Sequence, residues 1–243
     1  YTDYQFNQNS RAYQYISTFY FWNYLYKLIK SANDVLKTTT DDSKKEDRGQ
    51  ALGMRAFAYL TLVQMYQHTY KGNESKPCVP LITNENANEA AANGCARSTV
   101  QEVYDQIMSD LNKAVSLLEA TDKTRGTDKR YISKEVAYGL RARVNLTMQN
   151  WTAAAEDAQK AINGSGTPYS REEAGAPGFT ESSDHSWMWA IVIAETDRVV
   201  TSGIVNFPSH MGSLNYGYAS VGAWRMINKK LYNEIPDTDV RKG

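Results

Sequence analysis

The chain has 243 residues, 42% of them hydrophobic, enough to bury a sizeable core as one or two domains. Its 27 Lys and Arg balance 27 Asp and Glu, and a formal charge of zero removes the positive field that nucleic-acid binding needs. No segment approaches the ~20 apolar residues of a membrane-spanning helix, and the polar, aromatic stretch that starts at Tyr1 does not read as a secretory signal. Tyr1, Tyr4 and Asn7 make a first small cluster of recognition-type side chains, in a chain with 17 Tyr and 5 Trp.

A first helix is predicted from about Tyr13 to Val35, with Ile16, Phe19, Tyr20, Asn23, Tyr26, Leu28 and Ile29 on a broad aromatic-apolar face. Ser31-Ala32-Asn33 near its end offers a small residue and an amide where another helix can cross. A second helix is predicted from about Lys44 to Tyr70. Ala51, Arg55, Ala58, Tyr59, Leu62 and Tyr66 recur there at steps of three and four. Gly49 and Gly53 each cost about 1 kcal/mol of helix propensity relative to Ala, which close packing would explain.

Cys78 and Cys95 bracket CVPLITNENANEAAANGC, which lacks helical periodicity and reads as a surface loop. A disulfide across it, worth about 3 kcal/mol in the chain-entropy model, is the expectation, with two free thiols as the alternative. No cysteine pair has zinc-like spacing and His68, His185 and His210 are isolated, so neither a metal nor a cofactor is expected. A third helix opens at Ser98 or Thr99 as N-cap, with Glu102 as capping-box partner, and runs through Val103, Ile107, Leu111, Ala114 and Leu118.

Residues 132–162 read as two antiparallel helices meeting at Gln149-Asn150. Trp151, Ala154, Ala158 and Ala161 share one face of the second, alanine allowing close approach and Trp151 plugging the turn. With Tyr138 and Ala142 before the corner, this resembles one tetratricopeptide-like repeat, although Arg141 stands where the repeat has leucine and Leu140 comes one place early. The fold class expected is all-α. It consists of stacked tetratricopeptide-like hairpins over residues 10–164, a loop-rich region with short irregular or strand-like segments over 165–222, and a helix with a truncated tail over 223–243. Because the chain starts in mid-sequence and stops at PDTDVRKG, this single domain is expected to be incomplete.

The loop-rich region carries the candidate ligand residues. Trp187 and Trp189 alternate in SWMWAIVIA, a strand-like run that would point both to one side, and Tyr216 and Tyr218 alternate likewise in NYGYAS. Each pair is either a stacking platform or half of a small core; Tyr4 belongs to the third candidate patch.

Five ordered motifs carry a family resemblance. They are Trp22-x-x-x-Tyr26-x-x-Ile29-x-x-Ala32-Asn33; Gly49-x-Ala51-x-x-x-Arg55-Ala56-x-x-Tyr59-x-x-Leu62-x-x-x-Tyr66; Arg97-Ser98-Thr99-Val100-x-Glu102-Val103-Tyr104 with Asp110-Leu111-x-x-Ala114-x-x-Leu117-Leu118; the hairpin with Trp151; and Leu231-Tyr232-x-x-Ile235-x-x-x-Asp239-x-Arg241. Together they resemble the SusD/RagB family of outer-membrane nutrient-binding lipoproteins. That resemblance implies an α-helical protein on the cell surface of a Gram-negative bacterium. Such a protein binds oligosaccharides or polysaccharides without catalysis and delivers them to a TonB-dependent, SusC-like transporter. It also implies a lipid anchor on an N-terminal cysteine, which is absent from this chain.

Two other readings compete. A tetratricopeptide-type adaptor would line its groove with Lys, Arg and Asn, where the assignable inner positions are Ala, Leu and Tyr. An all-helical glycosidase needs two carboxylates roughly 5 to 9.5 Å apart. Glu172-Glu173, Glu181, Asp184 and Glu195-Asp197 show no spacing that marks such a pair, so no catalytic residue is expected.

Overall fold

The computed structural model describes residues 16–121, 128–176, 181–201, 222, 226–239 and 242. Helix α1 spans Ile16–Thr38, α2 Lys45–Tyr66 after a 3-10 turn at Asp42–Lys44, β1 Pro77–Pro80, α3 Ala87–Asn93 and β2 Arg97–Thr99. Helix α4 follows at Val100–Glu119, α5 at Lys134–Thr147, α6 at Trp151–Gly164 and α7 at Arg171–Gly175. The chain divides into two units, residues 1–190 and 191–243. In the second, short helices lie at Arg198–Thr201 and Lys229–Glu234, and the Tyr232 hydroxyl donates to the Lys242 carbonyl at 2.8 Å.

In the first unit, helices pack in the order α1 on α2, α2 on α4, α4 on α5 and α5 on α6, an all-α stack with one two-stranded antiparallel ribbon pairing Pro77 with Thr99 and Pro80 with Arg97. Leu25 and Ile29 of α1, Tyr59, Leu62 and Val63 of α2, and Val103, Ile107 and Leu111 of α4 form the core with Val136 and Val144 of α5. Among the described residues no helix is long and apolar enough to cross a membrane.

The glycines of α2 sit where a side chain cannot. A Cβ on Gly49 would lie 2.7 Å from Leu118 Cγ, and one on Gly53 2.9 Å from Ile132 Cδ1. Gly49→Ala is therefore expected to destabilise by about 1 kcal/mol net. Overpacking of about 1–3 kcal/mol outweighs the propensity gain of about 1 kcal/mol, and thermal unfolding reads the sign.

Charged and amide side chains fix the helix stack from within. Arg55 Nε and Nη2 donate to the two carboxylate oxygens of Asp110, each at 2.7 Å, and Nη1 donates to Asn33 Oδ1 at 2.8 Å and Asn84 Oδ1 at 2.9 Å. The apparent flaw in the second hairpin is a second such pair: Arg141 clasps Asp157 of α6 at 2.8 and 2.6 Å and reaches Asn112 of α4 at 2.9 Å. A bidentate guanidinium joins three helices where leucine would join two.

Several expectations are corrected. The first helix turns Phe19, Tyr20 and Tyr24 outward and buries Leu25, Ile29, Ala32 and Asn33, because α2 covers that narrower stripe. The second helix stops at Tyr66, where Gln67 turns extended, yet Tyr70 stays buried with its ring edge-on to Tyr104 at 4.8 Å. Residues 78–95 are no plain loop. Cys78 lies in β1, and the alanine-rich stretch forms α3, which ends at Gly94 with a φ of 78°.

The two cysteines are free thiols, not a disulfide. Cys78 is buried in the core against the Val79 strand, and burial raises its pKa. The Cys95 thiol points instead to the Leu81 and Ala96 carbonyls, each at 3.5 Å. Trp151 does not plug the corner. It is 61% exposed, and the turn is closed by Gln149 with a φ of 65° while Ala154 and Ala161 make the helix contact. Thr99 is the N-cap of α4, with the expected capping box to Glu102.

Candidate functional site

The stack leaves a cavity of about 410 Å³ where the start of α2, the end of α4 and the start of α5 meet. Its lining includes Glu46, Gln50, Glu119, Tyr131, Lys134 and Trp187. One side is the turn 128–133, which is built into place by side chains. Asp128 accepts two guanidinium hydrogen bonds from Arg130 at 2.8 and 2.6 Å. Gln50 of α2 treats Ile132 as a strand neighbour: its Nε2 donates to the Ile132 carbonyl at 2.6 Å and its Oε1 accepts from the Ile132 N–H at 2.8 Å. Ser133 then caps α5, accepting from the Val136 N–H at 3.2 Å. Tyr131, between these anchors, is half-buried and sits 5.9 Å from the Arg130 guanidinium carbon.

The opposite wall comes from residues 164–166 and from Trp187-Met188. The strand-like run expected over 186–194 is irregular, with bends at Met188 and Trp189, so alternation does not put the two tryptophans on one face. Only Trp187 lines the cavity. The Trp189 ring stands edge-on to Phe57 at 5.1 Å and its indole N–H donates to the Arg130 carbonyl at 3.2 Å. With the Ala190 N–H on the Lys129 carbonyl at 2.9 Å, this ties the wall to the 128–133 turn. Tyr4, Tyr216 and Tyr218 lie outside the described residues.

Sequence reasoning missed Tyr131. Its signal was an aromatic between the polar run DKR and the Ser133 helix cap, where a loop side chain has no helix face to join.

Polar groups at the cavity are fixed by their neighbours. The Tyr138 hydroxyl donates to Glu119, and that bond, with burial, pushes the Tyr138 pKa up to about 12. Glu119 is thus oriented by a neutral donor, and Lys134 Nζ lies 3.9 Å from Glu135. Three of the loop carboxylates considered for catalysis make local hydrogen bonds. Glu173 closes the capping box of α7 with Ser170, Asp184 accepts from the Ser186 N–H at 2.9 Å, and Asp197 accepts from the Ala194 N–H at 2.8 Å. Among the described residues no group of three or more metal-ligating side chains occurs.

Behind Trp187, His185 joins the wall together. Its Nδ1 is 2.8 Å from the Thr167 carbonyl oxygen, its Nε2 is 3.1 Å from Glu173 Oε1, and the Tyr169 ring is edge-on at 5.1 Å.

The fold has solved counterparts. The chain is similar to a SusD-like carbohydrate-binding protein from Bacteroides vulgatus ATCC 8482, with a TM-score of 0.73 and 26% identity over 91% of this chain and 46% of that one. It is also similar to a SusD superfamily protein from Bacteroides thetaiotaomicron VPI-5482, with a TM-score of 0.56 and 27% identity over 63% of this chain and 34% of that one. The chain therefore spans under half the length of these solved relatives. No curated protein sequence matches it. The family model SusD-like_3, described as "Starch-binding associating with outer membrane", matches residues 1–146, which hold the Asn33–Arg55–Asp110 cluster, and the chain belongs to this SusD-like family.

Proposed function

We propose that this chain is part of a non-catalytic glycan-capturing protein of the outer membrane, displayed on the cell surface and passing oligosaccharides or polysaccharides to a TonB-dependent, SusC-like transporter. The observation that carries the reading is a cavity whose lining includes both Tyr131 and Trp187, in a SusD-like scaffold. Sugar rings present flat C–H faces that stack on such rings, and their hydroxyl edges need fixed partners, since a desolvated orphan costs about 1–3 kcal/mol. Glu119, Glu135 and Lys134 are placed to supply them. The similarity to a carbohydrate-binding protein of known structure supports the same ligand class. The outer-membrane association of the family supports the location, and a lipid anchor would provide attachment without a spanning helix.

Affinity-gel retardation against neutral and acidic polysaccharides tests the reading. Trp187→Ala is expected to weaken retention of the bound glycan about 30-fold, the loss of about 2 kcal/mol typical of a buried aromatic anchor. Trp189→Ala acts less directly, through the wall it braces. Retention untouched by both Trp187→Ala and Tyr131→Ala would move the site, with Tyr216, Tyr218 and Tyr4 as the next positions to change. Steady release of reducing ends from the bound glycan would overturn the non-catalytic part.

A further inference from the structure

One of the fastenings of the wall that carries Trp187 is an imidazole with an unusual demand. Both ring nitrogens of His185 face acceptors, the Thr167 carbonyl and the Glu173 carboxylate. A neutral imidazole has one N–H, so its second nitrogen would set a lone pair against an oxygen lone pair; only the imidazolium donates to both. The two acceptors lie on different pieces of the wall. Thr167 follows α6, beside Ser165 and Gly166 of the cavity lining, and Glu173 sits in α7. His185 itself is two residues before Trp187, and its carbonyl packs so closely on Gly166 that a Cβ there would overlap it.

We propose that protonation of His185 clamps Thr167 and α7 to the stretch 185–189, setting Trp187 at the cavity, and that deprotonation releases it. The titratable and charged groups around the ring agree in sign. Glu173 faces it from α7, and Asp184 lies beside it in its own loop, with Lys129 donating to the Asp184 main-chain carbonyl rather than to its carboxylate. Tyr169 meets the imidazole edge-on. The hydrogen bond that His185 donates to the Thr167 carbonyl, then that to the Glu173 carboxylate, hold its pKa above the ordinary value. A raised value means that the clamp is fully made below the ordinary histidine range and is lost as pH rises through the folded value. On the glycan reading above, retention at the cavity therefore weakens as pH rises through that midpoint.

The test follows His185 and Trp187 separately in the whole chain. Proton–carbon spectra of the three histidines, with the His185 line identified by its loss in His185→Gln, give its midpoint. Fluorine spectra of the 5-fluorotryptophan-labelled chain, with the line identified by Trp187→Phe, report the wall. The Trp187 line should move with the His185 midpoint, and His185→Gln should remove that transition. Glu173→Gln keeps the α7 capping box but removes the charge, so it should shift both midpoints to lower pH. A Trp187 line that stays still through the His185 titration, or midpoints unmoved by Glu173→Gln, overturns the clamp. Equal glycan retention on both sides of the midpoint overturns its effect on binding. If no polysaccharide is retained at any pH while Trp187 still follows His185, the clamp stands and the glycan reading fails.

Discussion

Arg55→Ala is expected to lower stability by about 3–5 kcal/mol, because it strands a charge inside the helix stack. Asp110 has no exposed surface and Arg55 is 4% exposed. Asp110 also accepts from Gln106 Nε2 at 2.8 Å, a neutral donor that cannot replace a guanidinium. Asn33 and Asn84 would lose a shared donor in the same step, and Asn33 also holds the Ile82 carbonyl at 2.9 Å, so the β1–α3 connection loosens with it. Arg55→Lys should recover little, since an ammonium has no planar fork for the carboxylate and cannot span to the two amides. The double variant Arg55→Met with Asp110→Leu should regain much of the loss, because it removes both desolvated charges together. Urea unfolding followed by helical circular dichroism separates these cases. A single variant within about 1 kcal/mol of the parent would show that water or rearrangement already satisfies Asp110.

The helices were legible because their signals are local. The Thr99–Glu102 capping box lies within one helical turn, and Gly49 and Gly53 announce a close neighbour without naming it. Leu118 and Ile132 as those neighbours are tertiary facts that no spacing encodes. The same limit explains Arg141, which violates the repeat pattern locally and satisfies it globally through Asp157, 16 residues away on the facing helix. Misread positions were those where a local pattern admits two environments. Phe19 and Tyr20 fit an apolar face, but α1 turns Leu25 and Ile29 toward α2 and leaves these two 58% and 59% exposed. Two cysteines around one insertion fit a disulfide until β1 takes Cys78 into the core. In SWMWAI, alternation predicts a shared face only for an extended chain. The bends at Met188 and Trp189 send one indole to the cavity and the other to Phe57. The cavity lining was half legible: composition singled out Trp187, while Tyr131 joins the lining through a turn whose Ile132 main chain is held by Gln50 from 82 positions away.

That dependence makes Gln50→Leu the sharpest test of how scaffold and site are joined. Leucine keeps most of the volume but removes the partner of both the N–H and the C=O of Ile132, a residue 1% exposed. Each orphaned buried group costs about 1–3 kcal/mol, so with partial relaxation the loss should be about 2–4 kcal/mol. The Ile132 side chain still packs on Gly53, which keeps the 128–133 turn near α2 even when its main chain is unpaired. The expected outcome is a folded chain of reduced stability in which Tyr131 is no longer held in the cavity lining, and glycan retention falls by more than the stability loss alone explains. Gln50→Glu discriminates further. It keeps an acceptor for the Ile132 N–H, loses the donor to the carbonyl, and places a second carboxylate one turn from Glu46, so it should be at least as destabilising as the leucine variant above the carboxylate pKa and less so when protonated. Measuring unfolding and retention on the same preparations at both pH values decides the matter. If stability drops and retention holds, the 128–133 turn is a structural brace and Tyr131 is not part of the ligand surface.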